Sequence, residues 1–210
     1  MTATELTAPA AAPAPTTNPT ADVATSTRDL LAAELTVVIG GGDFRFSAAH
    51  TGLHSGLFEP MHGHTYIPTL TLTGVPDQAG MVADFRAVRA ALRSAIAPVR
   101  SRTLLAGDAG QATPIRDGDT VRFTDGVKTY VLPVDDVVVL PTTNTTTEQI
   151  AAYLLAQVAE ALSASGVRRA VLDLEESPGT TVTVTTTIPG ALPSAFIEAI
   201  PGPARDEMPA

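Results

Sequence analysis

Residues 62–73 read HGHTYIPTLTLT, and residues 34–50 read ELTVVIGGGDFRFSAAH. Both segments alternate along the chain in the manner of a strand with one covered face. In the second, Phe44, Phe46, Ala48 and His50 share one parity, so an extended backbone sets them on one side. In the first, His62 and His64 are two apart and point the same way, while Pro68 hints at a bulge or an edge. The two segments are expected to pair antiparallel, which brings His50 to the His62-Gly63-His64 triplet. The connection from Thr51 to Met61 holds Gly52, Gly56 and His54 and is a candidate active-site loop.

All four histidines of the 210-residue chain lie between positions 50 and 64. Three imidazoles converging from neighbouring strands form the ligand set of a catalytic zinc ion, with bonds of about 2.0–2.1 Å and one position left for water or substrate. His54, in the loop, is the minor candidate. The chain has no cysteine, so a closed structural site lacks thiolates to complete it. The bland alternative is that the triplet is polar loop material and His50 a satisfied buried residue.

Further along, DFRAVRAALRSAIAPV (84–99) carries apolar residues at 85, 88, 92 and 96, which is helical spacing, with Asp84 as N-cap. A second helix is expected from about Thr146 to Ala164, opened by a Thr145–Glu148 capping box. Between the helices VRFTDGVKTYVLP (121–133) reads as an inserted hairpin around Asp125-Gly126. VRRAVLDLEE (167–176) and TTVTVTTTI (180–188) read as two more strands, turning at Ser177-Pro178-Gly179. The order implies an α+β domain over residues 28–188, with two helices on one face of an antiparallel sheet.

The ends differ from this domain. Residues 1–27 are rich in Ala, Pro and Thr and lack the basic start and apolar run of a signal peptide, so a flexible tail is expected. Residues 189–210 are again Pro- and Ala-rich. The formal net charge of −9 and the absence of a basic run argue against nucleic-acid and anionic-membrane partners. No stretch has the length of a membrane span, and a cytoplasmic location is the default expectation.

The set FRFSAAH (44–50), MHGHTY (61–66), GMVADF (80–85), TTEQIA (146–151) and LEESPG (174–179) resembles the 6-pyruvoyl-tetrahydropterin synthase and 6-carboxytetrahydropterin synthase family. The matches run in the family's order across residues 36–188. The resemblance implies the tunnelling fold (T-fold), a ββααββ unit whose subunits form trimers and stack into a homo-hexamer with sites at subunit interfaces. It makes His50, His62 and His64 the zinc ligands and Glu176, with Glu175 as neighbouring alternative, the residue that holds a pterin ring. Glu148 falls near that pocket. The substrate implied is a small molecule like dihydroneopterin triphosphate, and zinc would polarise its side-chain oxygens.

Two positions depart from the family pattern. The usual base is a cysteine four residues before the HGH, where this chain has Phe58; Glu59 follows, giving E-x-x-HGH. That resembles the type III subgroup, in which glutamate replaces the cysteine and serves as general base. The family's Asp-His proton relay after the first helix is replaced by Arg100 and Ser101. Arginine cannot exchange protons at working pH, but it can grip phosphate or carboxylate bidentately. The expected catalytic set is therefore Glu59, Arg100 and Ser101 in a zinc-dependent carbon–oxygen or carbon–carbon lyase. The alternatives are a diverged zinc enzyme acting on a non-pterin molecule, by a lyase or cyclisation step in specialised biosynthesis, and a non-catalytic ligand-binding homologue.

Overall fold

The computed structural model describes residues 29–30, 33–162 and 166–188. The expected tails, 1–27 and 189–210, and the far end of the second helix lie outside the described residues.

The two alternating segments pair as their pattern requires. Strand β1 (Leu35–Gly40) and strand β2 (Phe46–His50) lie end to end along β5 (His62–Gly74), both antiparallel to it. A single 3-10 turn, Gly42–Phe44, interrupts them. Pro68 sits opposite this interruption, between the last β2 partner at Tyr66 and the first β1 partner at Thr69. A missing N–H does least harm at such a joint.

The remaining strands are β3 (Leu53–His54), β4 (Leu57–Phe58), β6 (Thr103–Ala106), β7 (Ile115–Asp117), β8 (Thr120–Thr124), β9 (Thr129–Pro133), β10 (Val137–Leu140), β11 (Val167–Ser177) and β12 (Thr180–Thr187). The main sheet runs β10-β6-β2-β5-β11-β12, with β1 beside β5. Its centre is the expected antiparallel ββ…ββ arrangement. The sheet as a whole is mixed, however: β6 runs parallel to both β2 and β10. The chain returns along a helix before β6, and a parallel neighbour requires such a crossover.

Helix α1 (Phe85–Ile96) and helix α2 (Thr147–Ala161) pack on the face carrying Tyr66, Leu70 and Leu72 of β5 and Leu172 and Leu174 of β11. The Asp84 carboxylate accepts from the Arg86 amide at 2.8 Å, the N-cap expected from sequence. Phe85, placed by spacing on the buried stripe, is 57% exposed; it opens the helix, and the stripe begins at Val88. The Thr145–Glu148 capping box is not formed. Thr146 is the N-cap and makes no side-chain cap bond, while the Thr145 hydroxyl donates to the Thr51 carbonyl at 3.2 Å. Gln149 reaches back in place of Glu148, its Oε1 accepting from the amides of Thr143 and Asn144 at 2.9 and 3.1 Å.

The inserted hairpin is the three-stranded sheet β7-β8-β9. Its Val121 and Phe123 form a second small core with Phe58, Leu105 and Ala112.

Candidate metal centre and active-site cleft

The alternation that builds the core also builds the site. Along β5 the even-numbered residues from Tyr66 to Leu72 are buried against the helices, and His64 and His62 continue the same parity past the covered zone. On β2, Phe46 and Ala48 are buried and His50 follows them. His50 pairs directly with His62, and Ala48 with His64. The three rings are 4.5–5.2 Å apart between centroids. One ligand nitrogen from each lies within 4.8 Å of the others. Gly63 makes this approach possible: a Cβ there would stand 2.9 Å from the Ala48 carbonyl oxygen.

The hydrogen bonds prepare the rings for a cation. The His50 Nδ1–H donates to the Thr145 carbonyl and the His62 Nδ1–H to the Pro60 carbonyl, each at 2.8 Å. Carbonyl oxygens only accept, so each Nδ1 carries a proton, and the tautomer this selects presents its lone pair at Nε2. Backbone carbonyls orient metal-bound histidines in the same way. His50 is 4% exposed, and its Nε2 has no hydrogen-bond partner among the described residues. Burial, reinforced by the neighbouring His62, holds its pKa below the ordinary value, so the ring stays in the neutral, ligating form. A buried ring nitrogen left without a partner is costly, and a divalent ion would satisfy it. The donor set fits zinc.

Glu59, Glu148 and Glu176 line the same cleft of about 370 Å³ as the histidine trio. Glu176 shares the parity of Leu172 and Leu174 on β11. Its Oε1 accepts from the Thr147 hydroxyl at 2.6 Å and lies 3.5 Å from His64 Nε2. Glu175, of opposite parity, is not among the residues lining the cleft. Nearby, the Tyr66 hydroxyl is buried, and its pKa is pushed up first by burial and then by the charge of Glu176. Glu148 is exposed at the first turn of α2.

Glu59 follows a small hairpin rather than an open loop. Strands β3 and β4 turn through Ser55 and Gly56, both at positive φ. The Glu59 amide donates to the Gly52 carbonyl at 2.9 Å, and the Thr51 hydroxyl donates to the Glu59 carbonyl at 2.8 Å. The carboxylate occupies room left by the missing side chain of Gly52, where a Cβ would meet Glu59 Oε2 at 2.9 Å. Within the single chain Glu59 is exposed. His54 lines the cleft from β3 but is not among the grouped ligand atoms.

Arg100 and Ser101 are not brought to this cleft within one chain. The Ser101 amide donates to the Ser47 carbonyl at 2.7 Å, and Ser101 lines a second open groove with Ser47, Ala49, Thr65 and His64. Ser47 and Ala49 have the parity opposite to His50, and His64 borders both openings.

Some contributors are invisible to motif reading. Asn144 pairs with the backbone of Leu53, its Oδ1 accepting from the amide at 2.8 Å and its Nδ2 donating to the carbonyl at 2.9 Å. Asp125 and Lys128 of the inserted sheet hold the backbone of Phe58. No local periodicity announces contacts between residues so far apart in the chain.

Comparison with known proteins gives one consistent result. The family described as 6-pyruvoyl tetrahydropterin synthase matches residues 42–187. A Methanocaldococcus jannaschii protein with the provisional name 6-carboxy-5,6,7,8-tetrahydropterin synthase is 28% identical over 125 residues, covering 58% of this chain and 76% of that protein. A solved Plasmodium vivax 6-pyruvoyltetrahydropterin synthase, in a form with its catalytic glutamate changed to alanine, has a TM-score of 0.70 at 25% identity. It covers 74% of this chain and 99% of its own. The Plasmodium falciparum 6-pyruvoyl tetrahydropterin synthase has a TM-score of 0.69 at 23% identity and the same coverage, a likeness of fold. Among the described residues, no helix is long and apolar enough to cross a membrane. With sheet, helices and histidine trio all in agreement, the chain belongs to the 6-pyruvoyl tetrahydropterin synthase family.

Proposed function

We propose that the chain is a zinc-dependent lyase acting on a small molecule like dihydroneopterin triphosphate. The observation that carries this reading is the convergence of His50, His62 and His64 in one cleft with Glu59 and Glu176. Zinc held by the three imidazoles would supply Lewis-acid polarisation of the substrate's side-chain oxygens. Glu59 is the general base and takes a proton from the substrate carbon on a carboxylate oxygen. The catalytic residue of the Plasmodium vivax enzyme is also a glutamate. Glu176, oriented by the Thr147 hydroxyl, accepts hydrogen bonds from the N–H edge of a pterin ring, with Glu148 beside it.

Arg100 and Ser101 serve, in this reading, the cleft of a neighbouring subunit in a homo-hexamer built as a dimer of trimers. There Arg100 grips the triphosphate rather than moving a proton. The same replacement of an Asp-His pair by Arg100-Ser101 favours a second reading, a zinc-assisted step on a different polar substrate.

The test is turnover of 7,8-dihydroneopterin triphosphate by zinc-loaded protein, followed by pterin fluorescence and triphosphate release. Activity is expected, and Glu59→Gln should lower kcat by about 10²–10⁴-fold, the usual range for losing a general base. No turnover by the fully metallated wild type rejects the pterin reading and leaves the second.

A further inference from the structure

The hairpin that precedes Glu59 is short and has two bare flanks. In a two-residue turn at Ser55-Gly56, His54 and Leu57 exchange hydrogen bonds, while the N–H and C=O of the next pair, Leu53 and Phe58, point outward. Unpaired, those four groups would leave the segment free to shift. On the Leu53 side the Asn144 carboxamide takes both. On the Phe58 side the inserted sheet does so. Asp125 Oδ2 accepts from the Phe58 amide at 2.6 Å, and Lys128 Nζ donates to the Phe58 carbonyl.

The Asp125 carboxylate is itself fixed, since its Oδ1 accepts from the amides of Val127 and Lys128 at 2.8 and 2.6 Å. The Phe58 ring is 7% exposed and packs edge-on to Phe123 at 5.6 Å and Tyr130 at 6.1 Å, so the sheet holds both its side chain and its backbone. With Phe58 turned into this second core, Glu59 comes next along the chain and lines the histidine cleft.

We propose that the inserted sheet β7-β8-β9 is the positioning element for Glu59, acting through Asp125 and Lys128 on the backbone of Phe58. This rests on Glu59 as the base, yet the positioning can be tested without turnover. Asp125 and Lys128 are positioning residues; neither lines the cleft. Phe58, at the position where the family pattern has a cysteine, is here an anchor, and the adjacent carboxylate is delivered by holding that anchor still.

Asp125→Asn is the discriminating variant. It keeps Oδ1 for the Val127 and Lys128 amides but sets an NH2 group against the Phe58 N–H. In the full-length zinc-loaded protein, amide hydrogen exchange in residues 57–60 should rise at least about tenfold, because opening of that segment loses its restraint. The zinc stoichiometry and the exchange of β5 should be unchanged. A crystal structure of the variant should show the Glu59 carboxylate moved by about 1 Å or more, a displacement that costs on the order of 10²-fold in rate. On dihydroneopterin triphosphate, kcat should fall by about 10–100-fold with KM changed less than about twofold. Unchanged exchange with an unmoved Glu59 overturns the proposal, and so does raised exchange with an unmoved Glu59 or an unchanged kcat. Should Asp125→Asn fail to fold, Lys128→Met removes only the carbonyl contact and is judged by the same measurements. If the wild type does not turn over this substrate, the pterin reading fails, while exchange and the position of Glu59 still decide the positioning.

Discussion

The histidine trio and the Glu59 carboxylate share one cleft but are held in different ways. His50, His62 and His64 stand on β2 and β5, where the ladder that makes the sheet also fixes the register of the three rings. Glu59 stands just beyond a two-strand hairpin, whose outward backbone groups are held by side chains from distant parts of the chain. The histidines therefore inherit their precision from regular structure. Glu59 receives it from tertiary contacts. Rigid elements place groups more closely than loops do, and a group on a loop needs a supporting shell.

The sharpest way to break this contrast is at the metal. His50→Ala should abolish stoichiometric zinc binding while the fold persists, as metal analysis and circular dichroism would show. A structural role for His50 alone would leave the zinc in place. Next comes Gly63→Ala, which adds a Cβ against the backbone oxygen of Ala48 at 2.9 Å. Strands cannot give way as a side-chain tip can, so it should cost about 1–3 kcal/mol of stability and weaken zinc binding together. Denaturant titration with and without chelator separates the two losses.

Gly52→Ala makes the opposite kind of clash, with the flexible end of Glu59 at a similar distance. The carboxylate can swing aside, so stability should change by less than about 0.5 kcal/mol. Activity should nevertheless fall by about tenfold, as expected when a base is displaced. Steady-state kinetics alongside a melting curve would check this. If Gly52→Ala proved as destabilising as Gly63→Ala, the two regions would not differ as argued.

What was legible in the sequence follows the same division. The histidine trio and its strands were readable because period-two alternation is local, and Asp84 was readable as a cap because its bond spans two residues. The parity rule also separates Glu176 from Glu175 once β11 is in place. The short strands β6 and β10, TLLA and VVVL, carry no alternation, so no local pattern marks the parallel part of the sheet. Thr145 and Glu148 matched a capping pattern, but a carbonyl from a residue 94 positions earlier competed for the Thr145 hydroxyl and took it. The support of Glu59 was illegible for the same reason. The Asp125–Phe58 bond spans 67 positions and the Asn144–Leu53 pair 91, and no window of sequence contains both partners.

Arg100 and Ser101 mark the boundary of what one chain can display. Neither lines the cleft that holds the histidine trio and Glu59, so a role in catalysis would need a neighbouring subunit to supply the cleft. Glu59 is exposed in the single chain, and a subunit packed over the cleft would also exclude water from it.

The most direct test is zinc analysis combined with X-ray absorption at the zinc edge on protein purified without chelator. The account predicts one zinc per chain with three imidazole nitrogens at about 2.0–2.1 Å and a lighter oxygen ligand in the remaining position. Protein that is folded yet holds no zinc after exposure to the metal, or zinc bound without histidine nitrogens, would contradict it.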